Sequence, residues 1–278
     1  MDQAVIKLAR KLYSRQGRAQ IQEECGEETY GRLFAALSNP QISDKARADV
    51  DDAADADTPS LTLTYTSDHF KFYYTTNDPD PDNNVTLNDI KLTAKVLNNA
   101  WTDFAQNFRE PKHYLNGKKK MIDVKVLYLG AGLYGVTNSN WDYMKLNSKK
   151  VVRDSCKRQT TPVHELFHRV QYTYGYITGT ANMKWGVEAT ASWSQKYRAG
   201  NVGDWMNRMN SGLDNPDKAL TTRSYDACHF WVYLVQRGNG EKECVKLAWE
   251  TYLRNGKKLP AAVETKIKRR VPNGSSLS

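Results

Sequence analysis

The segment PVHELFHRVQY at residues 162–172 contains an HExxH pattern, formed by His164, Glu165 and His168. In an α-helix the two histidines lie one turn apart, so both imidazoles project from the same side toward one point. The apolar positions of the segment also repeat at helical spacing, which predicts that one face anchors the helix in the core. Those positions are Val163, Phe167, Val170 and Tyr174.

The residues just before the pattern predict where this helix begins. Thr161 is a favourable N-cap residue, and Pro162 then occupies the first helical position. Proline is tolerated there because the N–H that it lacks would have no partner inside the helix. We therefore expect the helix to begin at Pro162.

Two imidazoles in this arrangement are suited to Zn²⁺, which accepts neutral imidazole nitrogens at about 2.0–2.1 Å in a tetrahedral shell with one open position. Glu165 is too close in sequence to be an ideal third ligand, but it can reach a zinc-bound water and act as a general base. We predict Zn²⁺ as the cofactor, His164 and His168 as ligands, and Glu165 as the catalytic residue. A histidine pair that only hydrogen-bonds on a half-buried helix is the alternative.

A third ligand is predicted at Glu188, 20 positions after His168, in the helix-like segment WGVEATASW at 185–193. Its neighbours are apolar or small, and a buried carboxylate needs a partner. A loop between two helices can bring Glu188 to the same ion, and two histidines, one glutamate and a water form a known catalytic zinc site. A metzincin would need Gly and His where this chain has Gln171 and Tyr174.

The pattern of the remaining chain predicts strands first and helices second. Alternating residues predict strands at 61–66, 69–75, 121–129 and 143–146, and helical spacing predicts a helix at 86–107, with helices dominating to about residue 254. This order indicates an α+β fold. The Asp- and Asn-rich stretch NDPDPDNN at 77–84 matches no ordered calcium-ligand spacing, so it predicts a turn.

Three parts of the chain are predicted from composition. Residues 1–58 form a lead segment or prosegment, with helices at 2–14 and 27–37 and an acidic linker. They carry 8 basic and 11 acidic side chains, a net charge of −3, so the other residues carry +12 of the total of +9. Residues 59–255 form the catalytic domain, and 256–278 form a basic tail.

Composition and charge exclude several classes of protein. With 40% hydrophobic residues the chain is not a disordered polyelectrolyte. It has no run of 18 apolar residues, so we expect no membrane span. The basic surface could attract anionic partners, but no nucleic-acid-binding signature accompanies it, so no specific nucleic acid is expected. A role for Cys25 as a thiolate plug on the zinc is disfavoured, because its acidic neighbours raise a thiol pKa.

The stretches HELFHRVQY and VEATASW resemble the gluzincin metallopeptidases, the group that includes thermolysin. They resemble more closely a family of secreted bacterial metallopeptidases with an HE-[FLY]-F-H-x-x-Q helix and an EGTAxW-type glutamate helix. The resemblance covers about residues 61–240. It departs at Ala189, where Gly is usual, and at Ser192, where thermolysin-type proteins carry an Asp, so it leaves open which groups orient the imidazoles.

The resemblance implies a zincin-like domain, with a twisted, mostly antiparallel sheet followed by a helical half that carries the zinc site. It implies zinc ligands at His164, His168 and Glu188, the base at Glu165, a protein or peptide substrate, and a secreted location. The alternative is a catalytically weak or inactive zincin-fold module that binds a protein or an anionic partner. Oligomeric state, substrate and cleavage preference are not predicted.

Gluzincins also use a Tyr or His to stabilise the oxyanion of the tetrahedral intermediate. The candidates are Tyr225, His229, Tyr172, Tyr174 and Tyr176. By analogy, the strand at 143–146 is expected to be an edge that pairs with an extended substrate.

Overall fold

The computed structural model describes the first 14 residues and most of the chain from residue 59 to residue 254. The described ranges are 1–14, 59–115, 118–137, 139, 143–176, 183–203, 205–237 and 242–254, with residues 33, 36, 41–43, 45–46, 49–50, 53, 259 and 263. Cys25 lies outside them, as do most of the predicted helix at 27–37 and of the basic tail. The predicted boundaries between the three parts of the chain stay predictions.

The strands form where apolar, buried side chains alternate with more exposed ones along the chain. In the second strand Phe70, Phe72 and Tyr74 are buried, while Lys71 and Tyr73 between them are half-buried. The strands are β1 (Leu63–Thr66), β2 (Phe70–Tyr74), β3 (Tyr114–Leu115), β4 (Lys118–Lys119), β5 (Ile122–Leu127), β6 (Gly135–Thr137) and β7 (Tyr143–Asn147). The four predicted strands are confirmed to within two residues at either end.

The helices follow the sheet in sequence, except for the first two. They are α1 (Asp2–Tyr13), α2 (Leu87–Asn107), α3 (Lys157–Thr173), α4 (Lys184–Ala199), α5 (Trp205–Leu213), α6 (Cys228–Arg237) and α7 (Glu243–Arg254). A π-helical turn at Ser148–Val152 precedes α3, and short 3₁₀ turns lie at Leu220–Thr222 and Tyr225–Ala227. The α+β prediction is confirmed, as are the helices predicted at 2–14 and 86–107.

Five strands form one sheet in the order β1–β2–β5–β7–β6, and β3 pairs with β4 in a separate hairpin. The β1–β2 and β6–β7 pairs are antiparallel, whereas the β2–β5 and β5–β7 pairs are parallel. The expectation of a mostly antiparallel sheet is therefore wrong, because the sheet is mixed. Helix α2 lies in the connection from β2 to β5, and a crossover of that length allows two strands to run parallel.

Helix α2 supplies much of the main core. It begins at a capping box, in which the Thr86 hydroxyl accepts the N–H of Asp89 and the Asp89 carboxylate accepts the N–H of Thr86. The buried residues of α2 recur at helical spacing and join one apolar cluster with Phe70, Phe72 and the apolar residues of α3 and α4. This cluster lies between the sheet and the helices, so α3 is held against the sheet.

The acidic turn at 77–84 is closed by its own side chains. The Asp78 carboxylate accepts the N–H of Asp80 at 2.9 Å and the Asn83 amide at 3.0 Å. Asp82 forms an ion pair with Lys149 at 2.8 Å. The predicted turn is confirmed, and its carboxylates are engaged in holding its shape.

Among the described residues, no helix combines the length and the apolar character needed to cross a membrane.

Candidate metal centre

Helix α3 begins earlier than the sequence predicted. Its first residue is Lys157, so the assignment of Thr161 as N-cap and Pro162 as first helical residue is wrong. The reason lies upstream, because the Asp154 carboxylate accepts the N–H groups of Cys156 and Lys157 at 2.9 Å each. These bonds supply partners for N–H groups at the start of a helix. The helix therefore begins before Pro162, although a proline inside it removes one backbone hydrogen bond and crowds the preceding turn.

Helix α3 is buried on every side over its central part. All residues from Thr160 to Tyr172 are buried, including the four predicted to anchor it. Helix α4 is its main partner, and it is buried from Trp185 to Gln195. Because both helices are enclosed, their polar side chains must meet one another inside the protein.

The structure brings His164, His168 and Glu188 together at the contact of these two helices. The Oε2 atom of Glu188 lies 3.2 Å from Nε2 of His164 and 3.7 Å from Nε2 of His168. Their potential ligand atoms all lie within 4.8 Å of one another, and each side chain is at most 2% exposed. Within the described part of the chain, no other group of three or more His, Cys, Asp or Glu side chains converges in this way.

The His168 ring is held by Gln171, one turn further along α3. Nδ1 of His168 lies 2.7 Å from the Gln171 side-chain oxygen, so Nδ1 carries the proton and donates it. The Gln171 amide nitrogen donates to the carbonyl of Val187 at 2.8 Å and to the Thr190 hydroxyl at 2.9 Å, both on α4. Gln171 thus fixes the imidazole and ties it to the helix that carries Glu188.

The charge state of His168 fits the role of a ligand. Burial lowers the pKa of His168 to about 4, although the nearby Glu188 carboxylate acts in the opposite direction. The imidazole is therefore neutral near pH 7, with its proton on Nδ1 and a lone pair on Nε2, which lies 3.7 Å from Oε2 of Glu188. A neutral imidazole whose other nitrogen donates to an oxygen is the form in which histidine binds metals.

The donor atoms of this group are of the types that Zn²⁺ binds in proteins. Two imidazole nitrogens and one carboxylate oxygen converge on one point, which leaves one position of a tetrahedron open. The separations of His164 and His168 from Glu188 are those of atoms that could share one ion. The donor types fit Zn²⁺, and the binding of zinc itself stays a prediction.

Glu165 lies between α3 and the edge strand β6. It is fully buried, and a Cβ atom placed on Gly135 would lie only 2.8 Å from Cγ and Oε1 of Glu165. Gly135 thus forms a hollow in β6 that the Glu165 side chain fills. The carboxylate has room there only because residue 135 has no side chain.

Ser192 lies one turn after Glu188, at the position where the resemblance leads one to expect an Asp. Its hydroxyl accepts a hydrogen bond from Arg208 on α5 at 2.9 Å. The Arg208 guanidinium carbon also lies 4.5 Å from the centre of the Tyr225 ring. The Tyr225 ring in turn lies 5.9 Å from that of His164. Tyr225 is therefore beside the site, in the 3₁₀ turn that precedes α6.

The other candidates for the oxyanion stabiliser have different surroundings. Nδ1 of His229, on α6, lies 2.6 Å from the carbonyl of Asp226. Tyr174 is buried below the Arg109 guanidinium at 4.4 Å, and burial raises its phenol pKa. Tyr172 and Tyr176 stack on each other with their centres 6.0 Å apart. These positions are typical of packing residues.

The strand at 143–146 is not an edge. Strand β7 is paired with β5 on one side and with β6 on the other, so the prediction that it borders an extended substrate is wrong. The edge on this side of the sheet is β6, the strand that contacts Glu165. A hairpin places β6 outside β7, an arrangement that local sequence patterns do not specify.

The sequence analysis assigned no role to Gln171, although the H-x-x-Q motif contains it, and it did not identify Gly135. Gln171 follows His168 by three positions, the spacing at which helical side chains meet, and this signal could have identified it. Gly135 carried no comparable signal, because its contact with Glu165 joins a strand to a helix.

No protein-family model, curated protein or solved structure matches this chain. The chemistry of the site must therefore follow from its own geometry.

Proposed function

We propose that this protein is a zinc-dependent metalloendopeptidase of the gluzincin type, with a zincin-like fold, which hydrolyses peptide bonds in a protein or peptide substrate. The observation that carries this proposal is the buried convergence of His164, His168 and Glu188 beside Glu165. A secreted location, which the resemblance implies, belongs to the same proposal.

Each of the three ligands would hold the ion from a fixed helix. His164 and His168 would contribute Nε2 from α3, and Glu188 would contribute a carboxylate oxygen from α4. When bound, Zn²⁺ supplies a Lewis acid that activates water and polarises a carbonyl group. Gln171 keeps His168 in the tautomer that presents Nε2 to the ion.

We assign Glu165 as the group that transfers a proton from the water to the departing amine. Its carboxylate follows His164 on the same helix and lies in the hollow at Gly135. It accepts a proton from the attacking water and later donates that proton to the departing amine. Burial between α3 and β6 restricts the carboxylate to few orientations, which favours a general base that acts at one point.

We assign Tyr225 and Arg208 to the stabilisation of the carbonyl oxygen of the substrate. The phenol of Tyr225, beside His164, donates to the oxyanion as it develops. Arg208 contacts the face of the Tyr225 ring and is fixed by Ser192, so it restrains the phenol. Strand β6 supplies the edge along which an extended substrate chain would pair.

The variant Glu165→Gln tests the proposal. We expect it to fold and to bind zinc like the parent chain, while hydrolysis of a peptide library falls by several orders of magnitude, because an amide cannot accept the proton. Zinc content is measured by mass spectrometry, and hydrolysis is measured with and without a chelator. Full activity of the variant would refute the mechanism.

The same measurements separate the alternative, a catalytically weak or inactive binding module. Such a module would bind no zinc, or would bind it without chelator-sensitive hydrolysis of any peptide in the library.

A further inference from the structure

The segment between α5 and α6 is exposed over much of its length. Residues 213–219 are all exposed, so apolar packing does not hold this stretch in place. Arg223 follows it and is only 3% exposed, although arginine is almost never fully buried unless it is paired. Tyr225, the proposed stabiliser of the oxyanion, lies two residues further along the chain. We call residues 212–226 the Tyr225 loop.

The Arg223 guanidinium is paired with the backbone of this loop. Its Nε donates to the carbonyl of Lys218 at 3.0 Å, and its Nη1 donates to the carbonyl of Gly212 at 3.1 Å. Nη2 donates to the carbonyl of Asn215. A guanidinium holds its N–H groups in fixed directions in one plane, so these three bonds fix the path of the exposed chain around one rigid group.

A fourth bond joins Arg223 to the turn that carries Tyr225. Nη1 also donates to Oδ2 of Asp226 at 3.0 Å, and Oδ1 of Asp226 accepts the N–H of Ser224 at 2.8 Å. Burial alone would raise the pKa of Asp226, but the Ser224 N–H, Lys218 and Arg223 lower it below its usual value. The carboxylate is therefore charged near pH 7, and the residues on both sides of Tyr225 are held by it.

Two arginines thus restrain Tyr225 in different ways. The guanidinium carbon of Arg208, on α5, lies 4.5 Å from the centre of the Tyr225 ring, so Arg208 restrains the ring itself. Arg223 restrains the backbone from which the ring projects, and that ring lies 5.9 Å from the ring of His164. A donor to an oxyanion must lie within about 2.7–3.1 Å of it, so a small shift of this backbone would misplace the phenol.

We infer that Arg223 is a positioning residue of the proposed peptidase, which places the Tyr225 phenol at the oxyanion by holding the Tyr225 loop. This inference rests on the proposed function. The four groups to which Arg223 donates all belong to the loop, and none of them is a proposed zinc ligand. Loss of these bonds should therefore change catalysis and leave zinc binding unchanged.

The variant Arg223→Gln tests this, with Lys218→Gln as the matched control. Each change removes one positive charge near Asp226, because Nζ of Lys218 lies 3.8 Å from Oδ2 of that residue. The Arg223 side chain also holds three backbone carbonyls, so only its loss should loosen the loop. We expect kcat to fall at least about tenfold with KM unchanged, because an oxyanion donor acts in the transition state. The control should match the parent, and Arg223→Lys, a milder change, should lose less.

The same substitution in a Tyr225→Phe chain separates positioning from a general structural role. Tyr225→Phe should by itself lower kcat by about 100- to 1,000-fold, the usual effect of removing one oxyanion donor. If Arg223 acts through the phenol, Arg223→Gln should lower kcat of that chain by less than about twofold. An equal loss in both chains would overturn the inference, because Arg223 would then act independently of Tyr225.

The position of Tyr225 is also measured without metal, by fluorine NMR of the chain labelled with 3-fluorotyrosine. The Tyr225 resonance is identified by its loss in Tyr225→Phe. In the parent it should differ from that of free fluorotyrosine, because the ring lies beside Arg208 and His164. In Arg223→Gln it should move most of the way to the free value, and in Arg223→Lys it should move less.

An unchanged Tyr225 resonance in Arg223→Gln would overturn the inference. Failure of the proposed function is distinct from that result. A parent chain without zinc and without hydrolysis would refute the peptidase, while the metal-free spectrum would still show whether Arg223 places Tyr225.

Discussion

Gln171 connects the two helices of the site through a single side chain. Its oxygen orients His168, and its nitrogen bonds α4 at Val187 and Thr190. The departure at Ser192 left open which group orients the imidazoles. For His168 the answer is an amide on the same helix, so an Asp at position 192 is not needed for this ligand.

Replacing Gln171 by Leu should weaken zinc binding by about 10- to 100-fold, the usual effect of removing the partner that orients a metal-binding imidazole. Affinity is measured by competition with a chromogenic chelator. Gln159→Leu, on the exposed face of α3, is the matched control and should bind zinc like the parent. Equal zinc affinity of the parent and both variants would show that Gln171 contributes to packing and not to zinc binding.

At the scale of elements, the sequence located the strands and helices because local alternation and helical spacing are written in consecutive residues. The sequence did not indicate which strands and helices lie next to one another in the fold. The order β1–β2–β5–β7–β6 depends on pairings between distant residues, such as Val124 with Met144. The start of α3 was misplaced for a related reason, because Asp154 supplied partners that the Thr-Pro signal could not anticipate.

The close contact of β6 with α3 predicts a selective effect of Gly135→Ala. The added methyl group would lie 2.8 Å from Cγ and Oε1 of Glu165, so the carboxylate must move. We expect hydrolysis to fall at least about 100-fold, because a displacement of about 1 Å is enough for such a loss. Zinc affinity should change little, since the three atoms nearest to an added methyl group all belong to Glu165, which is not a proposed ligand. Parallel loss of zinc binding would contradict this reading.

At the scale of the whole molecule, the proposed zinc ion joins α3 to α4. The loop between these helices includes residues 177–182, which lie outside the described ranges. Ligands from both helices mean that an unfolded chain cannot offer the same site. Zinc binding should therefore be coupled to the stability of the fold.

We expect zinc at 100 times its dissociation constant to raise the free energy of unfolding by about 2.7 kcal/mol. The measurement is urea unfolding with and without zinc, followed by tryptophan fluorescence. Glu188→Gln, which removes the charged ligand, should lose most of this increment. An equal increment in both chains would place the stabilising zinc at a different site.

The sequence by itself determined the residues of the candidate site and the kind of elements that carry them. Helical spacing puts His164 and His168 on one side of α3, and small, apolar neighbours mark Glu188 as buried. These conclusions need only local geometry and the cost of burying a charge.

Only the tertiary structure decided which groups surround those residues. The hollow at Gly135, the place of Tyr225 beside His164 and the apolar cluster shared by α1 and β6 all join segments that are apart in sequence. Such contacts result from the packing of the whole chain, in which the position of each side chain depends on the positions of its neighbours. A local sequence pattern indicates which interactions a residue can make, and the packing of the chain determines which residues it contacts.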